Sequence, residues 1–193
     1  MTDPELIQGT LRRDRNALQY LVNQYQKQVI KTAFYFLGNM EDAEDLSQEI
    51  FLDIIHSMKS FKRSSSLSTW IYRITVNKSL NQVKKNQRKG IVIRLESMFR
   101  HTFEVGQRQD AEPSVTSNDY EEKEKRELLH SAINRLPENQ RIAFVLNKFE
   151  EQQYKQIAEI MNIGLPAVES LIHRAKLNLQ RHLLPQFSEY QKT

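Results

Sequence analysis

From Ile54 to Leu95 the chain contains no Asp and no Glu, although its average composition would put about five acids there. The same stretch carries Lys59, Lys62, Arg63, Arg73, Lys78, Lys84, Lys85, Arg88, Lys89 and Arg94. Cations with no neutralising neighbours in sequence are the electrostatic footprint of a surface that sits on phosphates. Phe61, Trp70 and Tyr72 are interleaved with the charge. Aromatic rings stack on unpaired bases at roughly 1–3 kcal/mol each, which is how proteins hold a single strand. The competing reading is a solvated basic helix with Trp70 and Ile74 turned into a core.

The residues that could do other chemistry are badly placed for it. His56, His101, His130, His173 and His182 have no metal-ligand spacing. Gly9, Gly38, Gly90, Gly106 and Gly164 are isolated, so no glycine-rich loop cradles a phosphate. The chain has no cysteine, which removes thiolate catalysis and disulfides and suits a reducing compartment. No serine sits on a nucleophile elbow. The expectation is a non-enzymatic protein with no cofactor and no metal. Its first residues are acidic, unlike a signal peptide, and no apolar run nears the roughly 18 residues a span needs. A cytoplasmic protein without membrane insertion is expected.

The elements that must carry these residues all read as helices. Leu18, Leu21, Val22, Tyr25, Val29, Ala33, Phe36 and Leu37 recur at three- and four-residue steps, predicting one helix from Asp3 to Leu37 that Gly38 stops. A second helix spans Met40 to Met58. Ala43, Leu46, Ile50, Phe51, Ile54, Ile55 and Met58 share one side; Glu41, Asp42, Asp45, Gln48, Glu49 and Asp53 share the other. Leu52 lies among those acids. Periodicity leaves it either a partner-docking residue or one packed beneath the first helix. A serine-rich loop over Lys59 to Ser68 leads to a third helix, Leu67 to Arg88, ended by Gly90. Arg73, Asn77 and Asn81 lie along one of its sides. Ile91-Val92-Ile93 could be a short strand without a partner.

Residues 94–122 lack sustained periodicity and read as a linker between two lobes, 1–93 and 123–193. Helices then follow over Glu121–Arg135, from Pro137 through Phe149, over Tyr154–Met161 and over Pro166–Leu183, with Pro185 as the last stop. Tyr154 to His173 has the spacing of a helix-turn-helix. Ile157, Met161, Ile163, Val168 and Leu171 would lock the two helices, with Asn162 at the turn. The outer residues of the second helix, Glu169, Ser170, His173, Arg174 and Leu177, would then put their N-terminal members in a major groove.

Taken together, these segments resemble bacterial sigma factors of the extracytoplasmic-function (ECF) group of the sigma-70 family. Asp42-Ala43-Glu44-Asp45-Leu46-Ser47-Gln48-Glu49-Ile50-Phe51 looks like the family's hallmark run. Ser68-Thr69-Trp70-Ile71-Tyr72-Arg73-Ile74, followed by Asn77, looks like its promoter-melting helix. Leu136-Pro137-Glu138-Asn139-Gln140-Arg141 and Ala167 to Lys176 look like its C-terminal DNA-binding domain. The resemblance implies two helical domains joined by a linker, and three partners: core RNA polymerase, promoter DNA and an anti-sigma factor. It implies that Asp42, Asp45, Gln48, Glu49 and Leu52 meet the polymerase. It implies that a loop from Phe61 through Lys62, Arg63, Ser64 and Ser65 to Leu67 captures a flipped −10 base. Trp70, Arg73, Asn77, Lys78, Asn81, Lys84 and Lys85 would hold the melted strand, and Pro166, Glu169, Ser170, His173, Arg174 and Lys176 would read the −35 element. The linker resembles the segment that threads toward the polymerase's active-site and RNA-exit channels.

Three positions depart from the pattern: Asn81 stands where an acid is usual, and Glu169 and Leu171 stand where Lys and Arg are common. A free-standing helix-turn-helix regulator is the alternative. The acidic helix bearing Leu52 separates the two, because a repressor has no need of it.

Overall fold

The computed structural model describes residues 1–100 and 117–190. Eight α-helices account for its regular structure, and the described residues contain no strand. They are α1 (Asp3–Leu11), α2 (Arg15–Leu37), α3 (Met40–Ser57), α4 (Leu67–Arg100), α5 (Ser117–Asn134), α6 (Glu138–Lys148), α7 (Tyr154–Met161) and α8 (Leu165–Tyr190). A 3-10 turn at Met58–Ser60 follows α3.

The helix expected over Asp3–Leu37 is two helices. Arg13 adopts φ 58°, and Asp14 caps α2 by accepting from the Ala17 N–H at 2.9 Å. A left-handed residue followed by a capping Asp ends one helix and starts the next. Gly38 does end α2, at φ 77°, with its N–H donating to the Phe34 carbonyl at 2.8 Å. Gly90 does not end the next helix: α4 continues to Arg100, so Ile91-Val92-Ile93 is helical. The ends of the expected linker also belong to α4 and α5, and its middle, 101–116, lies outside the described residues. Pro137 caps α6 instead of opening it, and Pro185 lies inside α8.

Two apolar clusters hold the helices. One joins α1, α2, α3 and the start of α4 through Leu6, Leu21, Val29, Ile50, Ile54, Met58, Leu67 and Ile71. The other starts on α2 and α4 with Phe36, Tyr72, Val76, Leu80 and Val83. It continues without a break into Ile133, Leu146, Ile157, Val168 and Ile172. Burial at about 25 cal/mol per Å² makes that shared cluster the main adhesive between the halves. In this structure the N-terminal helices and the helix-turn-helix therefore meet along α4.

Candidate nucleic-acid interface

The acidic face is presented by α3. Asn39 caps the helix by accepting from the Asp42 N–H at 3.2 Å, and Ala43, Leu46, Ile50 and Ile54 are buried beneath it. Asp42, Asp45, Gln48 and Glu49 are exposed. Leu52 is 55% exposed, so it does not pack under the first helices. The structure therefore leaves an apolar side chain open to water on the helix side that carries the acids. Glu49 and Asp53 also share one cation. Lys78 Nζ lies 3.3 Å from Glu49 and 2.8 Å from Asp53, and the Asp53 hydrogen bond raises the Lys78 pKa. Lys78 thus joins the acidic face of α3 to the basic face of α4.

The loop between α3 and α4 is short and pinned at both ends. Met58 and Leu67 are buried, while Lys62, Arg63 and Ser64 are exposed. The Ser66 hydroxyl accepts from the Thr69 N–H at 3.0 Å and caps α4. Arg63 sits at φ 55°, an uncommon conformation for a side chain with a Cβ. Phe61 lies against Trp70 with ring centroids 5.1 Å apart. Trp70 is half-buried on the first apolar cluster, so it combines the core and surface readings. Tyr72 does not join it: it is buried at the seam between the halves.

The remaining α4 residues divide. Asn77, Asn81, Lys84 and Lys85 are exposed, and Lys84 pairs with Glu138 at 2.7 Å. Asn77 and Asn81 line a shallow pocket with Asp53, His56, Ile74 and Lys78. Arg73 points into the other half. Its Nε donates to the Ile160 carbonyl at 3.1 Å and its Nη2 to the Glu159 carbonyl. Those carbonyls belong to the last turn of α7, where a cation meets both unsatisfied acceptors and the negative end of the helix dipole.

The second motif is built as its spacing predicts. Asn162 is left-handed at φ 54°, and its N–H returns to the Ala158 and Glu159 carbonyls. Ile157, Ile160, Val168, Ile172, Ala175 and Leu179 are buried. The expected locking residues Met161, Ile163 and Leu171 are half-buried, and Ile160 and Ile172 carry more of the packing. Pro166, Glu169, Ser170, His173, Arg174 and Lys176 are all exposed along one side of α8.

Sequence reasoning missed the polar seam between the halves. The Tyr72 hydroxyl donates to Glu150 at 3.2 Å and accepts from Gln152 at 3.1 Å. Glu150 is buried, and desolvation raises its pKa against the opposing pull of Lys31 at 3.8 Å. Desolvation and the Glu150 charge raise the Tyr72 pKa too. Lys31 donates to the Phe149 carbonyl at 2.7 Å. Arg141 is buried, its guanidinium 5.9 Å from the centre of the Phe36 ring and donating to Asn134 at 3.1 Å. His130 lies over Gly38 so closely that a Cβ there would meet the ring at 2.4 Å.

Comparison with known proteins places this arrangement. Residues 21–89 match the model of sigma-70 region 2, and residues 126–179 match that of sigma-70 region 4. The chain belongs to the sigma-70 family of RNA polymerase sigma factors. Within that family it is of the ECF type. It is 29% identical over 185 residues to the ECF RNA polymerase sigma-E factor of Escherichia coli K12, covering 96% of each chain. It is 26% identical over 191 residues to the RNA polymerase sigma-H factor of Pseudomonas aeruginosa, covering 97% of this chain and 96% of that one. Its fold is shared by CnrH, solved in complex with the cytosolic domain of CnrY, with TM-score 0.64, 19% identity and coverage of 94% and 96%. RpoE of Bartonella quintana, solved with the anti-sigma factor NepR, aligns with TM-score 0.55, 21% identity and coverage of 86% and 95%. The chain is therefore a sigma factor, which directs RNA polymerase to promoters.

Proposed function

We propose a division of that work among three surfaces. The α3 face of Asp42, Asp45, Gln48, Glu49 and Leu52 docks on core RNA polymerase. The loop from Phe61 to Leu67 takes up a flipped −10 base, while Asn77, Asn81, Lys84 and Lys85 hold the displaced strand. Pro166, Glu169, Ser170, His173, Arg174 and Lys176 on α8 read the −35 element. The single observation that carries this reading is exposed Leu52 in its ring of acids. We read residues 1–93 and 123–193 as the two working units and 94–122 as their tether.

The packed arrangement is the form without promoter. Arg73, Lys78 and Lys84 are occupied by protein acceptors, and each must change partners before it can take a phosphate. The protein acts in the cytoplasm and has no catalytic activity of its own; no described helix is long and apolar enough to cross a membrane. An anti-sigma factor is a further partner, supported by the complexes in which proteins of this fold were solved.

A gel shift with duplex promoter tests the reading. The chain alone should give no specific shift, and the chain with core polymerase should give one. A specific shift without polymerase would favour the free-standing regulator.

A further inference from the structure

We propose that α1 is the brace that sets the −10 loop, and that the contact between Gly9 and Ala17 fixes its position. The proposal rests on reading residues 61–67 as the base-capturing loop. The match to sigma-70 region 2 begins at residue 21, so α1 and the first turns of α2 lie outside it. Yet α1 is firmly built in. Leu6, Ile7 and Thr10 are buried, and the helix rests on both α2 and the 3-10 turn at Met58–Ser60. Thr2 caps it, with its N–H donating to Glu5 at 2.8 Å.

The geometry links this helix to the loop. Met58 opens the 3-10 turn that leads into the loop and Leu67 ends the loop, and both belong to the buried cluster that holds Leu6 and Ile7. Between these anchors Lys62, Arg63 and Ser64 stand in water. A loop with both ends fixed pays less ordering entropy when it closes on a base. The height of α1 above α2 is set at Gly9, where a Cβ would lie 2.4 Å from the Ala17 Cβ. That separation is shorter than two methyl carbons tolerate, so any side chain at residue 9 lifts α1 and shifts the support beneath Met58.

The test uses the full chain with core polymerase on a duplex promoter and on the same promoter with a mismatched −10 bubble. Four variants are compared: Gly9→Ala, Ala17→Gly, the two combined, and a chain lacking Ser64, Ser65 and Ser66. Ala17→Gly alone gives the cost of glycine in α2. Gly9→Ala should keep core affinity and closed-complex formation but slow opening, by up to about a hundredfold, the order reached when a functional group is misplaced by about 1 Å. Opening is read by permanganate reactivity of −10 thymines. The bubble should restore transcription, and Ala17→Gly should restore Gly9→Ala by removing the opposing methyl. Normal opening by Gly9→Ala, while the shortened loop fails to open, overturns the brace. Normal opening by the shortened loop instead overturns the loop reading and the brace with it. Equal loss of core affinity and opening in Gly9→Ala would make α1 a general support of the fold, which also overturns the proposal.

Discussion

The guanidinium of Arg73 caps the last turn of α7, with its Nε 3.1 Å from the carbonyl oxygen of Ile160. A residue expected on the melted strand is thus held by the first helix of the helix-turn-helix. Arg73→Ala should loosen the two halves by about 1–2 kcal/mol, the range for a charged hydrogen bond at a partly exposed site. The chain has no cysteine, so labels placed at Gln26→Cys and Arg181→Cys would report the separation directly. An unchanged label distance would show that Arg73 does not fasten the seam.

The second prediction concerns pH. Burial raises the Glu150 pKa in the packed form above its ordinary 4.5, so closing takes up a proton. The burial penalty is full above the raised value and is relieved as pH falls through it toward 4.5. His130 runs the other way. Its pKa is held below 6.5 by burial, so the packed form loses stability as pH falls through 6.5. Lys31 and Tyr72 also face Glu150, and Arg141 adds its charge near His130. Glu150→Gln should tighten the seam at neutral pH. It should leave only the His130 limb, a steady loosening as pH falls below 6.5. A label-distance profile identical to that of the natural chain would contradict this.

For the −35 surface, Glu169 and Arg174 are exposed side chains one helical turn and a residue apart on α8. Glu can accept from cytosine N4 and Arg can clamp guanine, at roughly 1–3 kcal/mol of discrimination per good contact. Glu169→Ala should therefore change preference at one −35 position without altering the salt dependence of binding. Selection from a randomised −35 pool checks it, and an unchanged preference at every position would remove Glu169 from the readers.

Lys85 and Lys84 test the holding role. Each lost cation should flatten the log–log salt dependence of single-strand binding by roughly 0.7 and leave base preference intact. Lys84→Gln should show a smaller loss than Lys85→Gln while the halves stay packed, because Lys84 is already paired with Glu138. Equal losses would mean that the Glu138 pair does not compete with phosphate.

The local devices were legible in the sequence because their signals are local. Gly38 and Asn162 take the left-handed conformations their positions require, and the apolar stripe of α3 faces inward as its period demands. The break at Arg13 escaped because the helix was read through the polar run from Arg12 to Asn16; that run and the Asp14 cap were its readable marks. Gly90 and Pro185 misled because a single glycine or proline costs a helix about 1 and 3 kcal/mol, which the rest of a long helix can outweigh. The seam had no local signature. Tyr72 meets Glu150 across 78 residues and Arg73 meets Ile160 across 87, and no periodicity reports such pairings. Leu52 lay between two readings because a helical period gives a side chain's face, not whether another helix covers it.

The central claim is that the acidic face of α3 delivers this chain to the polymerase. Asp45→Lys with Leu52→Ala tests it most directly, because neither side chain joins the Lys78 pairs or the core. The measurement is the affinity of the labelled chain for core RNA polymerase, with helix content and thermal unfolding as controls. The account predicts that affinity falls by at least about 2 kcal/mol, the scale of an interface hot spot, while the fold is unchanged. Promoter-specific transcription should fall with it. Unaltered affinity in a fully folded double variant would contradict the assignment.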